Sequence, residues 1–195
     1  ASSSMVDAAG SSSAPNTEFR VLDAGQLDMP GQFDLIFSNA ALHWVKDHNR
    51  LLRATFDGLR PNGVIRFNFA ADGNCSHLIG VVRELMADPA HAEGFEAFEW
   101  PWFMPAPDEY EALVLAHPFR DARVWGENAD RDFPSVEDMV RWIDQPSLVP
   151  FLSHLPTAAR QPFRDVVVER MIVCAGRDDG TCFETFRRVN VLATK

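Results

Sequence analysis

No two glycines stand two positions apart anywhere in these 195 residues. That excludes the Gly-x-Gly turn by which a nucleotide ligand approaches the backbone at the end of a strand. No uninterrupted apolar run approaches the roughly 18 to 20 residues of a membrane-spanning helix, and no signal-like apolar stretch opens the chain. Cysteine is scarce. Cys75, Cys174 and Cys182 are odd in number and lack metal-ligand spacing, so a reducing compartment fits them better than a disulfide framework. Positive charge is in deficit, with 18 Lys and Arg against 28 Asp and Glu, a net charge of −10 and a pI near 5.0. Nucleic acid demands a basic patch, so neither it nor an anionic membrane surface is expected as a partner. The expectation is a cytoplasmic protein without a metal site.

What is present is a globular composition, 46% hydrophobic and 24% charged, long enough for one substantial domain. A single Tyr stands against fifteen Phe and five Trp. Many of these aromatics cluster over 95–103, where core packing and a ligand pocket are the competing explanations. Serines at 2–4 can cap a short helix over 5–9. Strands are expected at Phe19–Leu22, Phe33–Ser38 and Val64–Phe69, the last after a Pro61-Asn62-Gly63 turn. Between them a helix from Asp47 or His48 carries Leu51, Leu52, Phe56 and Leu59 on one face. A helix over Ser76–Ala87 completes an alternation that predicts βαβ units and a parallel sheet.

Prolines at 89, 101, 105 and 107 then predict an irregular loop or lid. Helices follow at Asp108–Ala116, after the Ser135–Asp138 capping box, and over Ser147–Leu155 and Thr157–Cys174. A short strand is expected at Ala122–Trp125 and one long closing strand at Cys182–Thr194.

The most informative stretch is Phe33-Asp34-Leu35-Ile36-Phe37-Ser38-Asn39-Ala40-Ala41-Leu42-His43-Trp44. An apolar strand stops in small polar residues and then presents an imidazole beside an indole. Ligands of open α/β sheets bind beyond the carboxyl ends of the strands. This stretch, with the preceding Asp23-Ala24 and the following Leu59-Arg60-Pro61-Asn62-Gly63, resembles class I S-adenosylmethionine-dependent methyltransferases. Trp142-Ile143, Ser147 to Leu152 and Phe186-Arg187-Arg188 are similar, more narrowly, to the trans-aconitate methyltransferase group, which methylates a carboxylate oxygen of a small polycarboxylic acid. Ser2-Ser3-Ser4-Met5 matches the segment that follows the ribose-binding acid in such enzymes. The chain is therefore expected to be a piece lacking the first strand, its glycine loop and that acid, and to bind cofactor poorly alone.

The resemblance implies an α/β Rossmann-like sheet, N-terminally incomplete, with a helical substrate cap. Residues 1–87 would be the partial cofactor-binding core, 88–176 a mostly helical cap with short core elements, and 177–195 a strand returning to the sheet. Asp23 and Ala24 would meet the adenine, Met5 would pack on adenine or ribose, and Ser38, Asn39 and Ala40 would line the methionine end through their backbone. Each has a plainer alternative: a strand-ending turn for Asp23 and core filling for Met5.

His43 is a candidate general base or substrate-orienting donor. A carboxylate is already ionised and needs no base, so orientation is the better expectation. Trp44 can wall the sulfonium methyl or pack in the core. Trp102, Arg141 and Trp142 are the candidate substrate-binding residues, an arginine being suited to bidentate carboxylates, although exposed helix arginines are common. Arg187 and Arg188 can supply charge, though alternation sends them to opposite faces. The trans-aconitate group tends to carry arginine where Val149 stands, which keeps apolar or carrier-bound acids open as substrates. A partner-binding protein without catalysis is the reading from another class.

Overall fold

The computed structural model describes residues 3–11, 14–145 and 147–195; Ser2 of the expected helix cap lies outside them. Two runs of alternating apolar residues, Ile65-Phe67-Phe69 and Val189-Val191-Ala193, are fully buried on one face of a single sheet. They belong to β2 (Leu59–Ala70) and β6 (Arg187–Thr194), which pair antiparallel with Val64 opposite Thr194 and Ala70 opposite Arg188. The sheet order is β1-β2-β6-β3, with β1 at Phe33–Asn39 and β3 at Arg120–Asn128. Only β1 and β2 run parallel. The expected parallel sheet is thus a mixed one, because β6 enters from the opposite end and takes both its neighbours antiparallel.

Helix α1 covers Ser3–Gly10. Helix α2 (His48–Gly58) starts where the Asp47 side chain accepts the Arg50 N–H at 2.9 Å, an N-cap in the usual sense. Its Leu51, Leu52 and Thr55 are buried against the sheet. Leu59, expected on that helix, instead opens β2, and Asn62 in the Pro-Asn-Gly turn takes a left-handed φ of 66° within it. Helix α4 (Pro107–Leu115) covers the same sheet face with Tyr110 and Val114.

A second apolar cluster gathers helix α3 (Ser76–Ala87), α5 (Val136–Ile143), α6 (Val149–His154) and α7 (Thr157–Ala175) around Leu78, Phe95, Phe151, Phe163 and Met171. Half of the capping box forms: the Ser135 hydroxyl accepts the Asp138 N–H at 3.2 Å, and the Asp138 carboxylate accepts from that same hydroxyl at 3.0 Å. Met139, Trp142 and Ile143 all face this cluster.

Two expected strands are corrected. Phe19–Leu22 forms none, and Phe19, Val21 and Leu22 are exposed. A strand exists only where its backbone groups find a ladder, and among the described residues nothing pairs with β1 on the side away from β2. The closing strand is broken in two. Cys182–Glu184 (β5) pairs with Arg131–Phe133 (β4), while Arg187–Thr194 joins the main sheet. Thr185 and Phe186 are taken out of the ladder by other partners: Thr185 Oγ1 meets the Gly73 carbonyl at 2.7 Å and the Phe186 N–H meets Asp130 at 2.9 Å.

The sheet face opposite α2 and α4 carries Leu35 and Phe37, both exposed, and a polar row. The Asn190 carbonyl oxygen accepts from Asn68 at 2.9 Å and Arg66 at 2.8 Å, and its amide donates to Glu127 at 2.9 Å.

Candidate active site

Where β1 ends, the Ala40 N–H extends the ladder to the Asn68 carbonyl at 2.7 Å and its φ turns to +54°. That turn throws the chain into a short 3-10 segment, Leu42–Trp44. His48, buried at the head of α2, holds this segment in place. One ring nitrogen, Nε2, faces the Leu42 carbonyl at 3.1 Å, and the other, Nδ1, faces the Tyr110 hydroxyl at 2.8 Å. A carbonyl only accepts, so Nε2 carries the hydrogen and the Tyr110 O–H donates to Nδ1. Burial pushes the His48 pKa down to about 4, which keeps this neutral arrangement at pH 7.

The extended segment 100–105 lies across the same strand ends. The Phe103 N–H donates to the His43 carbonyl at 2.8 Å and the Asp72 N–H to the Pro105 carbonyl at 3.1 Å. Lys46 Nζ donates to the Trp100 carbonyl and lies 3.4 Å from that of Trp102. Trp102 is thereby fixed against Trp44, their rings edge to face at 5.7 Å.

The result is a cavity of about 200 Å³ bordered by Ala40, His43, Trp44, Asn74, Cys75, Leu78, Trp102, Met104 and Ser147. Among the described residues, three buried side-chain polar atoms have no hydrogen-bond partner: His43 Nδ1, Trp102 Nε1 and His117 Nε2. Two of them belong to this one cavity. Buried polar groups are almost always satisfied, so two orphans on residues that border one cavity make that cavity the candidate place for a ligand acceptor.

Burial first, then the charges of Arg188 and His48, push His43 down to about 4. It is neutral at pH 7 and too weak a base for general-base work there. The Cys75 thiol is pushed up to about 12, mainly by burial, which leaves it protonated and unreactive.

The sequence expectations divide as follows. His43, Trp44, Trp102 and Ala40 meet at the cavity, with Ser38 and Asn39 on the strand leading into it. Arg141 does not reach it. It is exposed and ion-paired with Asp138 one turn back on the same helix, because its position on α5 lies opposite the buried Met139-Trp142-Ile143 face. Trp142 is a core residue, packed on Phe133 at 5.3 Å and Phe186 at 5.8 Å.

Asp23 caps a 3-10 turn over Ala24–Gln26, accepting from the Gly25 N–H at 2.9 Å and Gln26 Nε2 at 3.1 Å. Met5 lies exposed on α1. Asn74, Leu78, Met104 and Ser147 were missed. Nothing in their local pattern marks them, except that Gly73-Asn74 lies in the loop between β2 and α3, a usual position for ligand contacts.

Ser38, Asn39 and Ala40 at the end of β1 lead directly into the cavity, and their short side chains leave room for the methionine end of S-adenosylmethionine. Asp23 retains acceptor capacity, since each oxygen accepts only one bond.

A family model described as a methyltransferase domain matches residues 1–67. The chain is 31% identical over 168 residues to a trans-aconitate 2-methyltransferase of Deinococcus radiodurans, covering 85% of this chain and 64% of that one. It is 30% identical over 187 residues to the same-named protein of Paracidovorax citrulli, covering 93% and 70%. It thus spans about two thirds of the length of these relatives. Among solved structures, loganic acid methyltransferase with SAH superposes with a TM-score of 0.65 at 10% identity, over 93% of this chain and 68% of that one. The YcgJ protein of Bacillus gives 0.60 at 16% identity, over 100% and 79%. At such identities these two establish the fold, a Rossmann-like one. Sequence and fold agree, and the chain belongs to the class I S-adenosylmethionine-dependent methyltransferases, near the trans-aconitate methyltransferase group.

Proposed function

We propose that this chain provides the acceptor site and part of the cofactor site of an O-methyltransferase that esterifies a carboxylate of a small organic acid. The observation that carries this is that His43 and Trp102, whose Nδ1 and Nε1 are buried without partners, both border one cavity beyond the ends of β1 and β2. An indole N–H only donates, and a neutral imidazole with its hydrogen on Nδ1 donates there. A carboxylate, which accepts and is ionised at pH 7, satisfies both. S-adenosylmethionine, when bound, supplies an electrophilic methyl group. The chain's own part is to orient one carboxylate oxygen and exclude water with Trp44, Met104 and Leu78. Holding two reactants in line is worth on the order of 7 to 11 kcal/mol, and no proton has to move.

In this reading Ser38, Asn39 and Ala40 line the methionine end, Asp23 and Ala24 meet the adenine, and Met5 packs beside it. The segment 88–106 with α5 to α7 forms the substrate cap over the core. Trans-aconitate 2-methyltransferase relatives support a small acid as acceptor.

The test compares methyl transfer from S-adenosylmethionine to small acids in three variants. Trp102→Phe keeps the ring and removes the N–H; it should raise KM for the acid by about tenfold or more, the worth of one charge-assisted hydrogen bond. His43→Ala should lower kcat/KM comparably. Arg160→Ala, whose guanidinium bonds the Leu155 carbonyl at 2.9 Å and the Ser153 carbonyl at 3.5 Å, should change neither. Equal effects from all three would remove the site from this cavity.

A further inference from the structure

The aromatic stretch 95–103 serves two purposes. Phe95 and Phe98 turn to the core, Phe95 on Phe163 at 5.2 Å and Phe98 stacked on Phe151 at 5.1 Å. Phe103 packs on His48 at 4.4 Å. Trp100 and Trp102 instead border a second cavity of about 360 Å³, together with Asn74, Ile79, Arg83 and Met104. Asn74, Trp102 and Met104 border the cavity of His43 as well. The two cavities are therefore neighbours across one shared wall.

The polar groups of the second cavity are largely spent inside the fold. The Asn74 side-chain oxygen accepts the Arg187 N–H at 3.1 Å, and its amide nitrogen lies 3.0 Å from Cys75 Sγ. The hydroxyls of Ser76, at the rim, and Thr185 bond one another at 2.8 Å. The charged residues that border this cavity, Asp72 and Arg83, are exposed and oppose each other in sign. Exposed charges of both signs, screened by water, hold a net-charged group only weakly. The Arg83 guanidinium also lies over the Trp100 ring, 4.8 Å from its centre. What remains for a ligand is two indoles, set edge to face at 5.6 Å, with Ile79 and Met104. Indoles bury large apolar areas and favour other rings stacked or edge-on.

We propose that this second cavity holds the far end of the acceptor, and that this end is an uncharged ring a few bonds from the reacting carboxylate. The inference rests on the carboxylate-methylation reading above and adds what the acid carries beyond its carboxylate. The carboxylate lies with His43 and Trp102, the body of the acid passes the wall of Asn74, Trp102 and Met104, and the ring meets Trp100 and Ile79. A short acid leaves the second cavity to water. A ring placed there gains about 10- to 100-fold in affinity, the worth of burying a phenyl side chain.

Two variants address the second cavity from different walls. Gly80 on α3 borders it and does not border the cavity of His43, and a Cβ at Gly80 would meet no atom within 4 Å. Gly80→Phe should fold, and loss of a helix-interior glycine should hold or raise the thermal midpoint. Trp100→Leu removes the indole but keeps the backbone carbonyl that Lys46 uses.

Binding of butanoate, 4-phenylbutanoate and butanedioate is titrated by intrinsic tryptophan fluorescence in the unsubstituted protein and both variants, with methyl-ester formation followed in parallel. The unsubstituted protein should bind 4-phenylbutanoate about tenfold or more tighter than butanoate. Both variants should cut that advantage to about threefold or less through KM, with binding and esterification of butanoate held. An advantage kept in both variants, an equal loss for both monocarboxylates, or tighter binding of butanedioate than of 4-phenylbutanoate would overturn the proposal while leaving carboxylate methylation standing. Failure of every acid to bind or be esterified in the unsubstituted protein would remove the parent reading, and this proposal with it.

Discussion

Glu184→Ala should destabilise the protein by about 3 to 5 kcal/mol, because it leaves several buried donors without an acceptor at once. The Glu184 side chain has no exposed surface. One carboxylate oxygen accepts from the Leu78 N–H at 3.0 Å; the other lies 3.2 Å from the His77 N–H, 3.2 Å from His77 Nδ1 and 2.8 Å from the Thr185 N–H. His77 and Leu78 belong to the first turn of α3, whose own cap position, Cys75, is left-handed at φ +52° and provides no side-chain acceptor. A residue more than a hundred positions away therefore caps the helix. Thr185 completes the job by accepting the Ser76 N–H at 2.9 Å. A carboxylate at a helix N-terminus is also favoured by the helix dipole.

The change should appear as a lower urea midpoint and as faster amide exchange at 76–79. Glu184→Gln, which keeps the shape and one acceptor, should cost much less. Since α3 and the turn before it supply Leu78, Asn74 and Cys75 to the cavity, acid binding should weaken in parallel with the loss of exchange protection. A loss below about 1 kcal/mol in Glu184→Ala would show that the helix end is satisfied some other way.

The second large effect is acid lability in a defined window. His43 and His48 each titrate at about 4 in the folded chain against an ordinary value of 6.5, chiefly because both are buried. The unfolded chain then binds more protons between those values, so stability rises with pH there. Their contribution is fully present above about pH 6.5 and drains away as the pH falls through 4. Each shift corresponds to roughly 3 kcal/mol. The two rings also oppose one another's charge, so the protons enter as a coupled pair.

Urea midpoints should be level from pH 8 to 7 and fall steeply between 6 and 4. His48→Gln should start lower, having lost the Tyr110 and Leu42 contacts, and fall less over the same range. A flat profile from pH 7 to 4 would mean that neither imidazole is held neutral by the fold.

Much of the architecture was written in local signals. Asp47 before the Leu51-Leu52-Thr55 face fixes the start of α2, and Ser135 caps the start of α5. The strand that stops at Ser38-Asn39-Ala40 also pointed to the cavity, because small residues ahead of an imidazole and an indole mark the end of a sheet, where open α/β sheets have their crevice. The failures share one cause. Phe19–Leu22 has strand composition but no partner edge. Cys182–Thr194 has the pattern of one strand but is divided because Thr185 and Phe186 bond to Gly73 and Asp130. Arg141 looked like a carboxylate grip but sits on the outer face of α5.

Sequence by itself determined which segments are helical and which apolar faces are buried, since both follow from spacing over a few neighbouring residues, and its motifs carried the resemblance to the family. Tertiary structure decided that Arg187 ion-pairs with Asp130, that the Trp102 indole loses its hydrogen-bond partner, and that a glutamate at 184 caps a helix beginning at 76. Those outcomes depend on desolvation and on contacts between residues far apart in the chain, and no local pattern encodes how much water a group will lose.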